Sequence, residues 1–327
     1  MTTGDVVVAV PGRVNLIGDH TDYTGGLALP IAIDRWTTIT GTRSDRIQLR
    51  SHDEPVVAQV PGDEPRSGWT RHVHAVAALL AERNEWVGID GTISTTIPIG
   101  AGLSSSAALD IALALACGAD MAPHDLIALA SAAERHATGV PTGLLDQTAI
   151  VHAREGHATL IDVASASVAH VPVPPNAEIV VRHVAQRFLA ASGYAQRVDE
   201  CAAIERQIGS LATATLSQLD DIDDVVLRRR ARHVITENAR VRSAVDALAA
   251  SDLVAFGALM VDSHRSLAED YAVSTPAMDD AVASALATRG VLGARMTGGG
   301  FGGCIVMLVE PGSDVDGWRV RPVRGPR

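Results

Sequence analysis

The twelve residues Pro98-Ile99-Gly100-Ala101-Gly102-Leu103-Ser104-Ser105-Ser106-Ala107-Ala108-Leu109 form a small-residue loop that runs directly into an apolar helix. Gly100 and Gly102 let the main chain approach an anion closely. The N–H groups that follow have no intrahelical partner, and the helix start carries roughly half a positive charge. The chain contains no lysine, so an anion bound here would be held by backbone and helix dipole. Two readings stay open at this point. The loop binds a nucleotide phosphate through Gly100, Ala101, Gly102, Leu103, Ser104, Ser105 and Ser106, or it is a glycine turn whose serines compete to cap the helix.

The pattern around this loop is mixed. Short β-branched runs punctuated by Gly, Pro and Asp predict strands at 6–10, 27–33, 36–42 and 89–97, with a helix at 70–83 between them. Helices are expected at 104–117, 123–136 and 142–152, followed by a strand pair at 157–163 and 167–173. Val171-Pro172-Val173-Pro174-Pro175-Asn176 can be neither helix nor central strand, because proline lacks the donor and fixes φ. A domain boundary is expected there, giving domains at 1–177 and 178–327. The second half predicts a strand at 178–182, helices at 194–211, 224–250, 252–267 and 276–289, and strands at 294–297, 303–309 and 318–323. Strands bracketing helices make an α+β layered fold.

With 47% hydrophobic and 3% aromatic residues, alanine, valine and leucine must fill the core. All 27 basic residues are arginine, and the net charge of −11 without a basic run argues against nucleic acid and anionic membranes as partners. The local exception, Arg228-Arg229-Arg230-Ala231-Arg232, reads as the solvated face of a helix. Cys117, Cys201 and Cys304 lie far apart without paired spacing, which implies reduced thiols and a cytoplasmic location. No apolar run approaches the roughly 18 residues that span a bilayer.

Three further stretches concentrate chemistry. Between Pro11 and Gly26 the sequence packs Arg13, Asn15, Asp19, His20, Asp22 and Tyr23 into what reads as a loop after the first strand. Asp19, His20 and Asp22 suit a polyhydroxylated ligand, with acceptors for hydroxyl protons and an imidazole that donates or accepts. In Gly143-Leu144-Leu145-Asp146-Gln147 an aspartate opens an apolar helical run. If buried it needs a cationic partner, for which Arg13 is a candidate, and such a pair can accept a hydroxyl proton or offset charge in phosphoryl transfer. Finally, five of the six residues 298–303 are glycine, more than a flexible turn explains, so close backbone packing against another loop or a ligand is expected.

In this order, "PGRVNLIGDHTDYTGG", "PIGAGLSSSAAL" and "MTGGGFGGC" resemble the three motifs of the GHMP kinase superfamily, and within it the galactokinase family. "TGLLDQ" and "SHRSLAEDYAVSTP" carry the same resemblance. It implies a ribosomal protein S5 domain 2-like N-terminal domain and a ferredoxin-like α+β C-terminal domain. The implied activity is ATP-dependent phosphorylation of the anomeric hydroxyl of α-D-galactose, by an enzyme that works as a monomer. Asp146 matches the catalytic aspartate and Arg13 the arginine beside it. Ser106 and Glu134 match the Mg²⁺ ligands. Asp19, His20, Asp22, Gly143, Asp146 and Tyr194 match the residues that hold the sugar. Trp69 matches a tryptophan beside the adenine, its plainer alternative being a surface-to-core filler at a helix start.

The chain also departs from the family pattern. Asp19 stands where glutamate is usual, Thr24 where asparagine is usual, and the segment 182–187 has Gln186 where an arginine is expected. After Glu310 a helix is missing and "WRVRPVRGPR" reads as a remnant of a final strand. The rival readings are a sugar-1-kinase acting on arabinose, galacturonate or N-acetylgalactosamine, and a galactose- and ATP-binding sensor without catalysis.

Overall fold

The structure is a computed structural model and describes residues 5–52, 54, 56–62, 68–83, 87–186 and 193–327. The chain opens with β1 (Asp5–Asn15), β2 (Leu27–Ala28), β3 (Pro30–Ser44), β4 (Ile47–Ser51) and β5 (Val57–Val60). Next come α1 (Trp69–Glu82), β6 (Gly88–Thr95), α2 (Ser105–Ala116), α3 (Pro123–Thr138) and α4 (Leu145–Val151). β7 (His157–Asp162), β8 (Ser167–Pro172) and β9 (Glu178–Ala185) precede α5 (Tyr194–Ile208), α6 (Val225–Ala249), α7 (Leu253–Glu269) and α8 (Pro276–Leu286). The last strands are β10 (Val291–Thr297), β11 (Gly303–Val309) and β12 (Trp318–Val320).

Three sheets result, in the orders β1-β3-β6-β4-β5, β10-β11-β9-β12 and β2-β7-β8. All pairings are antiparallel except β4 with β6. β8 lies at a sheet edge and ends at Pro172, as the proline-rich stretch requires. β12 matches the expected final-strand remnant, and residues 310–317 between β11 and β12 contain turns and no helix.

Two differences from the sequence reading bear on the site. β1 does not stop at residue 10. It continues to Asn15 through a bulge at Pro11/Gly12, so Arg13 is held on a strand. The predicted strands at 27–33 and 36–42 meet in β3, because Asp34 and Arg35 are accommodated opposite that bulge and do not form a turn. β4 and β5 were not anticipated. Their apolar positions are few and sit among Asp, Glu and Pro, although Ile47 and Leu49 do alternate inward.

α2 sits at the centre of the first half. From Ala107 to Ala116 every residue is Ala, Leu or Ile except Asp110, and the helix is packed on nearly all sides. A helix apolar all round belongs inside a core. α1, α3 and β1 cover it, and small alanines allow that close approach. One apolar cluster continues from here to Val241, Phe256 and Val306 in the second half, and a second cluster surrounds Tyr271 beneath the β10-β11-β9 face. The arginine run is not wholly solvated. Arg229 and Arg232 are exposed, but Arg230 is buried, its Nε donating to Glu200 Oε2 at 2.9 Å and its Nη1 to the Asp270 carbonyl at 2.5 Å. All three cysteines are buried, and none forms a disulfide among the described residues. No helix among the described residues is long and apolar enough to cross a membrane.

Candidate active site

Elements from both halves of the chain converge on one cleft. β1 delivers Arg13, the turns after it Asp19, His20 and Asp22, and α3 delivers Glu134. The loop into α4 adds Gly143, and the first turn of that helix adds Asp146. From the second half come Tyr194 at the start of α5 and Gly298 and Gly299 between β10 and β11.

Asp146 is held by three donors. Arg13 Nε donates to its Oδ1 at 2.8 Å, Arg13 Nη2 lies 2.5 Å from the same oxygen, and Ser104 Oγ donates to Oδ2 at 2.6 Å. Arg13 Nη1 donates to the Gly102 carbonyl at 2.7 Å, so one guanidinium joins the aspartate to the glycine-serine loop. Gly12 permits this approach, since a Cβ there would stand 2.7 Å from the Leu103 carbonyl oxygen.

Ser104 occupies the N-cap position of α2 with φ of 60°, yet its side chain makes no capping hydrogen bond and turns to Asp146. Ala101 and Leu103 point into the core, while Ser105 and Ser106 line a second, larger cavity with Trp69, Thr95, Ile99 and Leu109. Gly100 to Ser104 line neither cavity. Trp69 is at the wall of the second one, its indole N–H buried without a partner among the described residues, a poor arrangement for a mere filler. The two cavities share a wall, where Ser106 Oγ donates to Glu134 Oε1 and Gln147 Nε2 donates to Glu134 Oε2 at 2.7 Å. Burial and the charge of Asp146 push the Glu134 carboxyl above its ordinary range.

Around the first cavity Asp22 is pushed up to about 6, by burial and then by the neighbouring Asp146 charge. Its carboxylate lies directly over Gly143, where a Cβ would come within 2.0 Å of Oδ2. His20 Nδ1 is 2.9 Å from the Tyr23 hydroxyl, which is 2.6 Å from that of Tyr271, so the ring is oriented from behind. Tyr194 packs on His20 with ring centroids 5.6 Å apart.

Asp19 lines the same cavity, but its carboxylate is already engaged. Arg295 Nη2 donates to Oδ2 at 2.5 Å and the Gly298 N–H to Oδ1 at 3.0 Å. Burial raises the Asp19 pKa while the Arg295 guanidinium opposes the rise. The glycine run thus packs against the first motif, as its density of glycines suggested, and it also meets the Val273 carbonyl through the Phe301 N–H at 2.7 Å. Sequence reasoning missed Arg295, Ser104 as a partner of Asp146, and the Tyr23–Tyr271 pair. The available signal was an arginine inside the wholly buried segment Gly293–Thr297 of β10. Of the divergent segment, Arg182 donates to the Ala281 carbonyl at 2.7 Å and Gln186 is exposed, neither lining the cleft, and Arg187 lies outside the described residues.

The chain matches the family models described as GHMP kinases N terminal domain, over residues 71–154, and GHMP kinases C terminal, over residues 244–317. The fold is that of a GHMP kinase, a class of small-molecule phosphotransferases. Residues 2–43 match the galactokinase galactose-binding signature. A galactokinase of Roseiflexus sp. (strain RS-1) is 40% identical over 94% of this chain and 84% of that protein, and the Homo sapiens galactokinase 38% identical over the same shares. The crystal structure of Lactococcus lactis galactokinase complexed with galactose superposes with a TM-score of 0.90 at 29% identity, covering 99% of this chain and 95% of that one. The chain belongs to the galactokinase family.

Proposed function

We propose that this chain transfers the γ-phosphoryl group of ATP to the anomeric hydroxyl of α-D-galactose, giving α-D-galactose 1-phosphate and ADP. The observation that carries the reading is the Arg13–Asp146 pair in a cavity lined by the galactose signature, one wall away from a cavity lined by Ser105, Ser106 and Trp69. Asp146 accepts or orients the anomeric hydroxyl proton and Arg13 offsets charge that develops on the transferred group. His20, Asp22, Gly143 and Tyr194 hold the sugar, with Asp19 supporting its hydroxymethyl end. The transfer is direct and in line, without a phosphoenzyme.

A divalent cation fits the wall between the cavities. The Ser106 hydroxyl and the Glu134 carboxylate are hard oxygen donors already brought together there, and they would hold Mg²⁺, an ion that takes few protein ligands beside phosphate oxygens and water. When bound, the ion neutralises phosphate charge. Gln147 and Ser106 fix the orientation of the Glu134 carboxylate in advance. The reading includes two domains divided near residue 177 and a cytoplasmic location, the latter supported by three buried cysteines that form no disulfide among the described residues.

The test is ADP release with ATP and Mg²⁺ on D-galactose, L-arabinose, galacturonate, N-acetylgalactosamine and no sugar. Galactose-dependent turnover is expected, falling by at least a thousandfold in Asp146→Asn while calorimetry still detects galactose binding. A preference for another sugar of the panel would overturn the substrate assignment, and near-normal turnover in Asp146→Asn the role given to that residue.

A further inference from the structure

His72 lies one helical turn after Trp69 on α1 and lines the cavity that also holds Ser105 and Ser106. Its Nδ1 is 2.9 Å from Oδ1 of Asp110, which is fully buried one turn after Ser106 on α2. Asp110 is the one ionisable residue in that helix, and its Oδ2 has no hydrogen-bond partner among the described residues. Burying a carboxylate between two apolar helices is unfavourable, and replacing such a pair by apolar side chains is often neutral or stabilising, so packing alone does not explain it. Among the described residues the lining of this cavity contains no arginine, and the chain has no lysine. His72 is therefore, among the described residues, the side chain of that lining able to carry positive charge. With Nδ1 committed to Asp110, Nε2 has no hydrogen-bond partner among the described residues.

We infer that His72 is a nucleotide-contacting residue, its Nε2–H donating to the ribose-phosphate part of ATP between Trp69 and Ser106, with Asp110 as the positioning residue that fixes the ring. Burial disfavours charge on His72, but Asp110 outweighs it and raises the pKa, which favours the donating imidazolium. The inference rests on the assignment of this cavity to ATP.

The experiment measures KM for ATP, KM for galactose, kcat and the thermal midpoint for His72→Leu, His72→Gln and Asp110→Asn. ATP binding is followed through Trp69 fluorescence, with Trp69→Phe to subtract the other tryptophans. A charge-assisted hydrogen bond predicts a rise of about tenfold in KM for ATP in His72→Leu, with kcat and KM for galactose within about twofold of wild type. His72→Gln, which keeps a donor, recovers most of the loss, and Asp110→Asn raises KM for ATP by about threefold or more. Unchanged KM for ATP in His72→Leu and Asp110→Asn overturns the inference, and so does a parallel change in all kinetic constants together with a lower thermal midpoint. If His72→Leu does not fold, the near-isosteric His72→Gln and Asp110→Asn decide, with unchanged KM for ATP in both overturning it. Wild-type turnover without any Trp69 response to ATP would instead overturn the cavity assignment, and the inference with it.

Discussion

Gly143→Ala tests the proposed sugar site through a single methyl group. A Cβ at this position would stand 2.0 Å from Asp22 Oδ2 and 2.9 Å from its Cγ, whereas ordinary contact begins at 3.4 Å. The loop is fixed by its junction with α4, so the carboxylate must retreat by more than about 1 Å, and a misplacement of that size costs about a hundredfold in a positioned reaction. The expected result is a fall of about a hundredfold in kcat/KM for galactose, or about 2.7 kcal/mol, with KM for ATP unchanged. ADP release at varied galactose gives the number. Because the alanine acts through Asp22, adding it to Asp22→Ala should cost little more, and the double-mutant cycle reads that coupling. A kcat/KM within threefold of wild type would refute the claim that Asp22 must sit where it does.

Three further outcomes are expected. Arg13→Lys keeps the charge but cannot reproduce three directed bonds to Asp146 and Gly102, so kcat should drop about a hundredfold in the ADP-release assay; a drop below fivefold would show that charge alone suffices. Asp19→Asn removes the nearer carboxylate from the fully buried Arg295 and leaves Glu237 Oε1 at 4.0 Å, so the cost falls at the low end of breaking a buried pair, about 3 kcal/mol, which lowers Tm by about 4 °C for a chain of 327 residues; calorimetry showing no shift would dismiss the ion pair as a stabilising element. Asp22 has its pKa raised to about 6, so its proton returns on mild acidification, and a protonated carboxyl is a poor acceptor for sugar hydroxyls. The value of kcat/KM for galactose should therefore decline as pH falls through about 6, and an Asp22→Asn enzyme retaining the same inflection would assign it elsewhere.

Long periodic helices and the three motifs were legible in the sequence because their signals are local. Pro123 at the start of α3, with Gly139 left-handed at its end, and Thr275-Pro276 at the start of α8 mark their helices directly. The pairing of Arg13 with Asp146 was also within reach, since a carboxylate in an apolar helix start requires a cation and few were near any motif. What escaped was non-local. The run of β1 past Gly12 depends on a bulge that only its partner strand defines. Ser104 reads as a cap by composition, and its hydroxyl leaves the helix only because Asp146 arrives from 42 positions away. Asp19 read as a free acceptor, and nothing adjacent to it announces that Arg295 will occupy one of its oxygens.

That last contact spans 276 positions along the chain. Closing so long a loop brings an entropic cost before the ion pair can repay it, so the pairing of the first motif with the third belongs to the late stages of folding. While the chain is being synthesised, the segment from Pro11 to Gly26 has its arginine and aspartates in place long before Arg295 and Gly298 exist to hold Asp19. The proposed sugar pocket is therefore completed only when both halves of the chain are present, and a fragment comprising the first half carries the most recognisable signature without the loop that gives it shape.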